Sequence, residues 1–236
     1  MRAMEITYIG HSCFKIKGKE VSIVIDPYDP KIGYKLPKLE ADVLLTTHDH
    51  YDHHNIGGVT GYKLLIEGPG EYEVNGVFIY GIPTAHDDKN GVERGTQTIY
   101  NIDIDGFTLM HLGDLGHELS KDTIEKIPNV DVLMIPIGGV FTIDAEKAVK
   151  VISAIEPGIV IPMHYKTDDL VGFDKLGGLD KFMDEMGVEN NVKKDDKLKI
   201  YSRGEIPEET EVVILKPAPS LNFLHEPLHW HCPGLL

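Results

Sequence analysis

The chain has 236 residues, 42% of them hydrophobic, and a formal charge of −15 from 23 basic and 38 acidic side chains. That length supports a substantial core in one large domain or two small ones, and the acidic balance argues against a nucleic-acid surface, which needs a basic stripe to replace phosphate counterions. No apolar run approaches the roughly 18–20 residues that span a bilayer, no signal-peptide core follows Met1, and Cys13 and Cys232 are too few for a disulfide framework, so a cytoplasmic protein is expected.

Residues 5–9, 14–16 and 21–25 read as strands, with Lys17-Gly18-Lys19 as a turn and Asp26-Pro27 closing the third. The segment 28–39, rich in Pro, Gly, Tyr and Lys, is expected to loop over the mouth of a site. Residues 42–46 are short and apolar and read as a core strand. Further strands are expected at 63–66, 71–74, 77–80, 98–104 and 107–110, where Asn75-Gly76 and Asp105-Gly106 are two-residue turns that favour positive φ.

From Ser120 the pattern changes. Ser120 can cap a helix running to Ile127, before Pro128, and Asp144 can cap one whose face carries Ala148, Val149, Ile152 and Ile155. Strands at 131–136 and 159–161 alternate with these helices, and Leu179, Phe182, Met183 and Met186 mark a last helix before Gly187. Antiparallel strands first and alternating elements afterwards suit a two-sheet sandwich with helices outside. Nothing divides the chain, so one domain over residues 1–216 is expected. The tail, 217–236, carries His225, His229, Trp230, His231 and Cys232 among prolines; it reads as a flexible or artificially appended extension, with a metal-binding tail as the alternative.

The chemistry is concentrated in His48-Asp49-His50-Tyr51-Asp52-His53, directly after the strand 42–46. Side chains two apart on extended backbone share a side, so His48 and His50 can converge on one ion while Asp52 and His53 turn toward a second. Imidazole and carboxylate suit zinc, iron or manganese. Downstream, His86, Asp114 and His164 each sit just past an expected strand or in the loop behind it, where a rigid scaffold can assemble distant residues.

This H-x-H-x-D-H stretch resembles the signature of the metallo-β-lactamase superfamily, and the resemblance covers residues 1 to about 216. Gly10-His11-Ser12, Asp26-Pro27, Gly68-Pro69-Gly70-Glu71, His111-Leu112-Gly113-Asp114 and Ile161-Pro162-Met163-His164-Tyr165 follow in the expected order. The set is similar to the branch of Zn-dependent hydrolases that includes L-ascorbate-6-phosphate lactonase. The resemblance implies a four-layer αββα sandwich with two divalent metal ions, zinc first, with manganese, iron or nickel as alternatives. It implies that His48, His50 and His86 hold one ion, that Asp52, His53 and His164 hold the other, and that Asp114 bridges them. Such pairs lower the pKa of a shared water from 15.7 toward 7.

By the same resemblance Asp26 orients a ligand from behind. His11 is expected at the site rim, binding substrate or donating a proton, or else holding a loop. His111 is expected in the core or behind a ligand, His54 on the surface, and Tyr165 against substrate or packed. Asp87 and Asp88 either fix the tautomer of His86 or are solvated. Asp52, Asp114 and His11 are the candidate catalytic groups. His50 stands where the diiron flavoprotein branch has Glu, which favours hydrolysis over redox chemistry. The expected activity is hydrolysis of a small ester, lactone or phosphodiester, with an anionic small molecule as partner. A nuclease or cyclic-nucleotide phosphodiesterase, and a metal-binding protein without turnover, are the alternatives.

Overall fold

The computed structural model of the chain describes residues 2–188, 192 and 194–218. Two mixed sheets pack face to face. The six-stranded sheet runs in the order Leu198–Ile200, Met4–Gly10, Cys13–Lys17, Ser22–Ile25, Val43–Leu45, Leu64–Ile66. The seven-stranded sheet runs Glu211–Val212, Ile159–Met163, Val132–Pro136, Phe107–His111, Thr96–Ile104, Val77–Ala85, Gly70–Val74. Between them lies a core in which Ile6, Phe14, Ile23 and Val43 meet Ile79, Ile102, Leu109 and Ile161. Each such side chain contributes about 1.5–3 kcal/mol on burial, and the alternation of buried and half-buried residues from Met4 to Tyr8 is what the period of a strand requires.

The helices lie outside the second sheet. Ala145–Ile155 buries Ala145, Ala148, Val151 and Ile152, its first turn capped by the Asp144 carboxylate, which accepts from Lys147 N–H at 3.0 Å. Leu179–Glu185 buries Phe182 and Met183 in the same cluster. The helix after Ser120 covers only Lys121–Ile124, shorter than expected. Irregular turns near Pro128 hold the rest. No helix among the described residues is long and apolar enough to cross a membrane.

The layer outside the first sheet is built from turns and 3-10 segments. Tyr28, Ile32, Tyr34 and Leu39 pack there with Val24, Leu44, Leu170 and Phe173. The segment 28–39 is therefore a cover for the sheet, against the expectation of a loop over the site mouth: its aromatic and aliphatic residues bury more surface against the sheet than a polar opening would offer.

Parallel pairing decides where the site forms. Ser22–Ile25, Val43–Leu45 and Leu64–Ile66 run parallel, as do Phe107–His111, Val132–Pro136 and Ile159–Met163. Their carboxyl ends therefore fall along common edges, and the residues that follow them, Asp26, His48, Asp114 and His164, are brought to one place. Val77–Ala85 ends in register with Thr96, which delivers His86 to the same edge.

The described chain ends with Ala218, whose N–H donates to the Tyr8 carbonyl at 2.8 Å. The histidines and cysteine of the tail, His225, His229, His231 and Cys232, lie outside the described residues. A chain ending at Ala218 is expected to fold and keep its metal affinity, as read by circular dichroism melting and metal content. Insolubility or lost metal in that shortened chain would show that the last 18 residues belong to the working protein.

Candidate metal centre

The residues 46–53 leave the strand Val43–Leu45 and are clamped at once by the second sheet. Thr98 N–H donates to the Thr47 carbonyl at 2.9 Å, and the Tyr100 hydroxyl donates to the Thr46 carbonyl at 2.9 Å. The turn that carries the candidate ligands thus has its backbone fixed from the second sheet.

One buried carboxylate then sets the state of two histidines. Asp26 is 0% exposed. Its Oδ1 accepts from Thr47 N–H at 2.7 Å, and its Oδ2 accepts from the Thr47 hydroxyl at 2.8 Å and from His53 Nδ1 at 2.8 Å. The Thr47 hydroxyl has one hydrogen, already given to Asp26, so its contact with His48 Nδ1 at 3.0 Å must be an N–H donated to Thr47 Oγ1. Both imidazoles carry their proton on Nδ1 and turn Nε2, with its lone pair, toward the cluster.

The atoms that face each other there lack hydrogen-bond partners: His48 Nε2, His53 Nε2, both nitrogens of His164, and Asp114 Oδ1 are buried without one. Such orphans are costly unless a cation completes them. His53 Nε2 stands 3.2 Å from Asp114 Oδ1, at ion-pair distance, and the two atoms point at common space that a proton on His53 or a bound cation fills. Asp114 Oδ2 is 3.5 Å from His86 Nε2 and 3.2 Å from His164 Nε2.

Among the described residues, three groups offer ligand atoms within 4.8 Å of one another: His48, His50 and His86; His11, Asp52, His53 and His164; and His48, His53 and Asp114. The donor set is imidazole and carboxylate, with no thiolate, which fits borderline and hard divalent cations. The residues present therefore fit a metal centre.

The electrostatics agree. Burial pushes the pKa of His48 down to about 3, the neighbouring His53 adding to the effect, so it is neutral and able to ligate. Burial works against ionised Asp114, but the charges of His164 and His53 outweigh it and hold its pKa well below the usual carboxylate range. Asp52 behaves alike, lowered by His53 and by the His11 hydrogen bond against the opposing effect of burial. Burial also disfavours charge on His53, yet Asp114, Asp52 and Asp26 raise its pKa well above the usual value. The pocket favours positive charge at this point.

Asp114 is aimed by its own turn. Its N–H donates to Gln97 Oε1 at 2.7 Å, and Gln97 Nε2 donates to the Leu112 carbonyl at 3.0 Å. Gly113 has φ +51, and a Cβ there would stand 2.3 Å from Gln97 Oε1 and 2.9 Å from Thr47, so only glycine lets this turn close on its partners. His111 receives Gly113 N–H on Nδ1 at 3.1 Å, and its Nε2 lies 2.9 Å from the Ser12 carbonyl. Both ring nitrogens serve the backbone, which makes His111 a brace for the Asp114 turn and not a ligand.

The remaining expected residues lie only partly where the sequence suggested, with His54 outside the cluster and Tyr165 packed, as expected, and His11 displaced. His11 is wholly buried, not at the rim, with Nε2 3.1 Å from Asp52 Oδ2 and its ring 4.1 Å from that of His164; its carbonyl is held by Tyr8 and by His164 N–H, which draws it under the cluster. Tyr165 packs in the core on the helical side and does not line the cleft. Burial raises its pKa to about 12. Asp87 does not touch the His86 ring: its carboxylate accepts the N–H groups of Lys89, Gly91, Glu93 and Arg94. Those amides outweigh burial and hold its pKa at about 2, so Asp87 folds the loop that follows His86. His54 pairs with Glu67 at 2.6 Å, outside the cluster.

The cluster opens into a cleft of about 450 Å³, within the range of small-molecule sites. His50, Asp52, His86 and Asp114 line it together with Asp49, Tyr51, Arg94, Phe141 and Phe173. A cleft of about 500 Å³ on the second sheet, lined by Tyr80, Asn101 and Lys126 among others, holds no histidine and none of the ligand candidates. Thr47, Gln97, Arg94, Phe141 and Phe173 are the site residues that sequence reasoning missed. A hydroxyl residue directly before His48 is the one signal that pointed at any of them.

Comparison with known proteins follows the same line. The family described as "Beta-lactamase superfamily domain" matches residues 5–164. A UPF0173 metal-dependent hydrolase from Thermoplasma volcanium is 32% identical over 199 residues, covering 73% of this chain and 88% of the relative. A proposed Zn-dependent hydrolase of the metallo-beta-lactamase superfamily from Thermotoga maritima, solved as a crystal structure, aligns with a TM-score of 0.72 at 33% identity, covering 90% of this chain and 98% of that one. Igni18, a metallo hydrolase from Ignicoccus hospitalis, shares the fold at 21% identity, with a TM-score of 0.65 and coverage of 91% and 96%.

Proposed function

Since the chain belongs to the metallo-β-lactamase superfamily and is a metal-dependent hydrolase, we propose that it works with two divalent cations. His48, His50 and His86 hold one, Asp52, His53 and His164 hold the other, and Asp114 serves both. The single observation that carries this reading is the position of Asp114: its two oxygens lie within 3.5 Å of histidines from both groups. Zinc, manganese, iron and nickel all suit the donors.

When bound, such a pair supplies a water ionised near neutral pH and a Lewis acid for the scissile oxygen. The chain's own residues do the rest. Asp26, through Thr47 and His53, keeps two Nε2 lone pairs directed at the site. Gln97 and His111 hold the Asp114 turn. His11, buried and bonded to Asp52, positions that carboxylate from beneath, and burial removes it from direct contact with substrate. Tyr51, Phe141 and Phe173 give the cleft apolar walls.

The substrate class is a small ester, lactone or phosphodiester. Lactones are included because the sequence pattern resembles the branch that contains a lactonase. Polynucleotides fit poorly: the chain carries −15, and the cleft has one non-histidine cation. A panel of lactones, esters, thioesters, phosphodiesters and short RNA, run on metal-loaded protein, tests the assignment. Turnover of RNA alone, weakening steeply with salt, would replace it with a nuclease.

The dinuclear reading has its own test. Elemental analysis of metal-saturated protein is expected to give two ions per chain, because the proposed donors outnumber those of one tetrahedral ion. Saturation at one ion would overturn it.

A further inference from the structure

Arg94 is the one cation other than histidine that lines the metal cleft, and the ligand set gives it no task. Its charge is unusual for its place. The cleft is otherwise lined by acids, histidines and aromatic rings, in a chain with 38 acidic residues, yet among the described residues Arg94 forms no ion pair. The carboxylates nearest the cleft floor, Asp52 and Asp114, face the histidine cluster instead.

Arg94 is nevertheless held in place from three directions, one through its backbone and two through its guanidinium. Its backbone N–H donates to Asp87 Oδ2 at 2.8 Å, in a loop closed at its base by His86 N–H on the Gly95 carbonyl at 3.0 Å. Nη2 donates to the Val140 carbonyl at 3.0 Å, and the guanidinium carbon sits 5.8 Å from the centre of the Phe141 ring. Val140 is itself a departure from ordinary backbone. It has φ +62, which a β-branched residue rarely adopts, and it is the centre of a tight turn in which Phe141 N–H meets the Gly139 carbonyl at 2.7 Å. The loop around it fixes that conformation, through Gly139 N–H on Ile143, Ile143 N–H on Leu115 and Gly177 N–H on Gly138. Strain held this way next to a cluster of ligand candidates points to function: the turn aims a carbonyl at Arg94 and a ring at the cleft.

A guanidinium has five N–H donors, and one is used here. The remaining donors form a fork that matches a carboxylate or phosphate. We propose that Arg94 anchors an anionic oxygen group of the substrate, at the opposite end from the bond that is hydrolysed, with the apolar body of the molecule against Phe141 and Phe173. The substrate class is thereby narrowed to small esters or lactones that carry a carboxylate or phosphate away from the scissile group. This rests on the hydrolase reading given above.

The test uses metal-loaded full-length protein, in wild-type form and as Arg94→Gln and Arg94→Lys. Two esters differing in charge, 4-acetoxybenzoate and phenyl acetate, report the preference for an anion, and benzoate, phenyl phosphate and benzamide report binding by calorimetry. The ratio of kcat/KM for the anionic over the neutral ester is expected to fall about 10- to 100-fold in Arg94→Gln, the range of a lost charge-assisted pair. Arg94→Lys, which keeps the charge but not the fork, is expected to lie between. Benzoate or phenyl phosphate affinity falls with the ratio, and the one that falls further identifies carboxylate or phosphate. In wild type the Arg94 Nε resonance shifts on titration with that anion and not with benzamide. An unchanged ratio and unchanged anion affinity in an Arg94→Gln protein that retains its metals would overturn the proposal. Should neither ester turn over, the ester reading fails by itself, and Arg94 is judged by the binding arm: retained affinity rejects it and lost affinity upholds it.

Discussion

Asp114→Asn is expected to strip at least one metal ion from the protein and to lower kcat about 10²-fold or more on any substrate it hydrolyses. The substitution conserves size, so the backbone bond to Gln97 Oε1 at 2.7 Å survives. What goes is the charge, together with one of two oxygens that lie 3.2 to 3.5 Å from His53, His86 and His164. Two cations in one small site repel, and a carboxylate shared between them offsets that repulsion. An amide nitrogen cannot replace the lost oxygen, since it is a donor facing lone pairs. Folding of the chelator-treated protein is expected to weaken as well, because His164 and His53 hold the Asp114 carboxylate ionised in the folded chain and the amide removes that attraction. His54→Ala is the matched control. His54 adjoins the motif, but it and Glu67 are 28% and 49% exposed at the side chain, where an ion pair contributes about 0–1 kcal/mol. Metal lost from His54→Ala and kept by Asp114→Asn would refute the ligand assignment.

Asp26→Ala is expected to lose both stability and metal affinity. The carboxylate satisfies three buried donors, the N–H and hydroxyl of Thr47 and Nδ1–H of His53, and removing one partner of such a buried charged network costs about 3–5 kcal/mol. Asp26 also holds φ +49, which aspartate tolerates better than alanine. Loss of a group that orients ligand histidines costs about 10- to 100-fold in metal affinity. Asp26→Asn separates the two effects. Its amide can still receive Thr47 N–H, but an NH₂ facing His53 Nδ1 favours the tautomer with its proton on Nε2, the atom turned to the site. Stability is therefore expected to fall less than in Asp26→Ala, while metal affinity falls as far. Urea unfolding of chelator-treated protein and competition with a chromophoric chelator measure the two quantities. Full metal affinity in Asp26→Asn would show that tautomer control is not the role of this residue.

Local chemistry made a large part of the molecule legible in the sequence. The turns at Asn75-Gly76 and Asp105-Gly106 have the positive φ that their residues permit, and Ser120 and Asp144 cap the helices that follow them, because turns and caps are satisfied within a few residues of chain. The position of the H-x-H-x-D-H stretch after Val43–Leu45 was readable because a short apolar strand precedes it, although residues 47–53 run as bends and turns and not as the extended backbone that alternation assumes. The short pairs Leu39–Glu40 with Val59–Thr60 and Lys194–Asp195 with Ile214–Leu215 were not, nor was Leu198–Ile200 as the edge beside Met4–Gly10. Two or three residues carry too little pattern of their own, and these strands exist only because a distant partner is in place. The same separation runs through the site. Candidate ligands could be named from residue type and spacing, but the Thr47 hydroxyl between Asp26 and His48, the burial of His11 beneath Asp52, and Arg94 held against Val140 are contacts across long stretches of chain or between paired strands. Tertiary structure alone decided them, because hydrogen-bond direction and burial depend on which surfaces meet, and that depends on how both sheets close on each other.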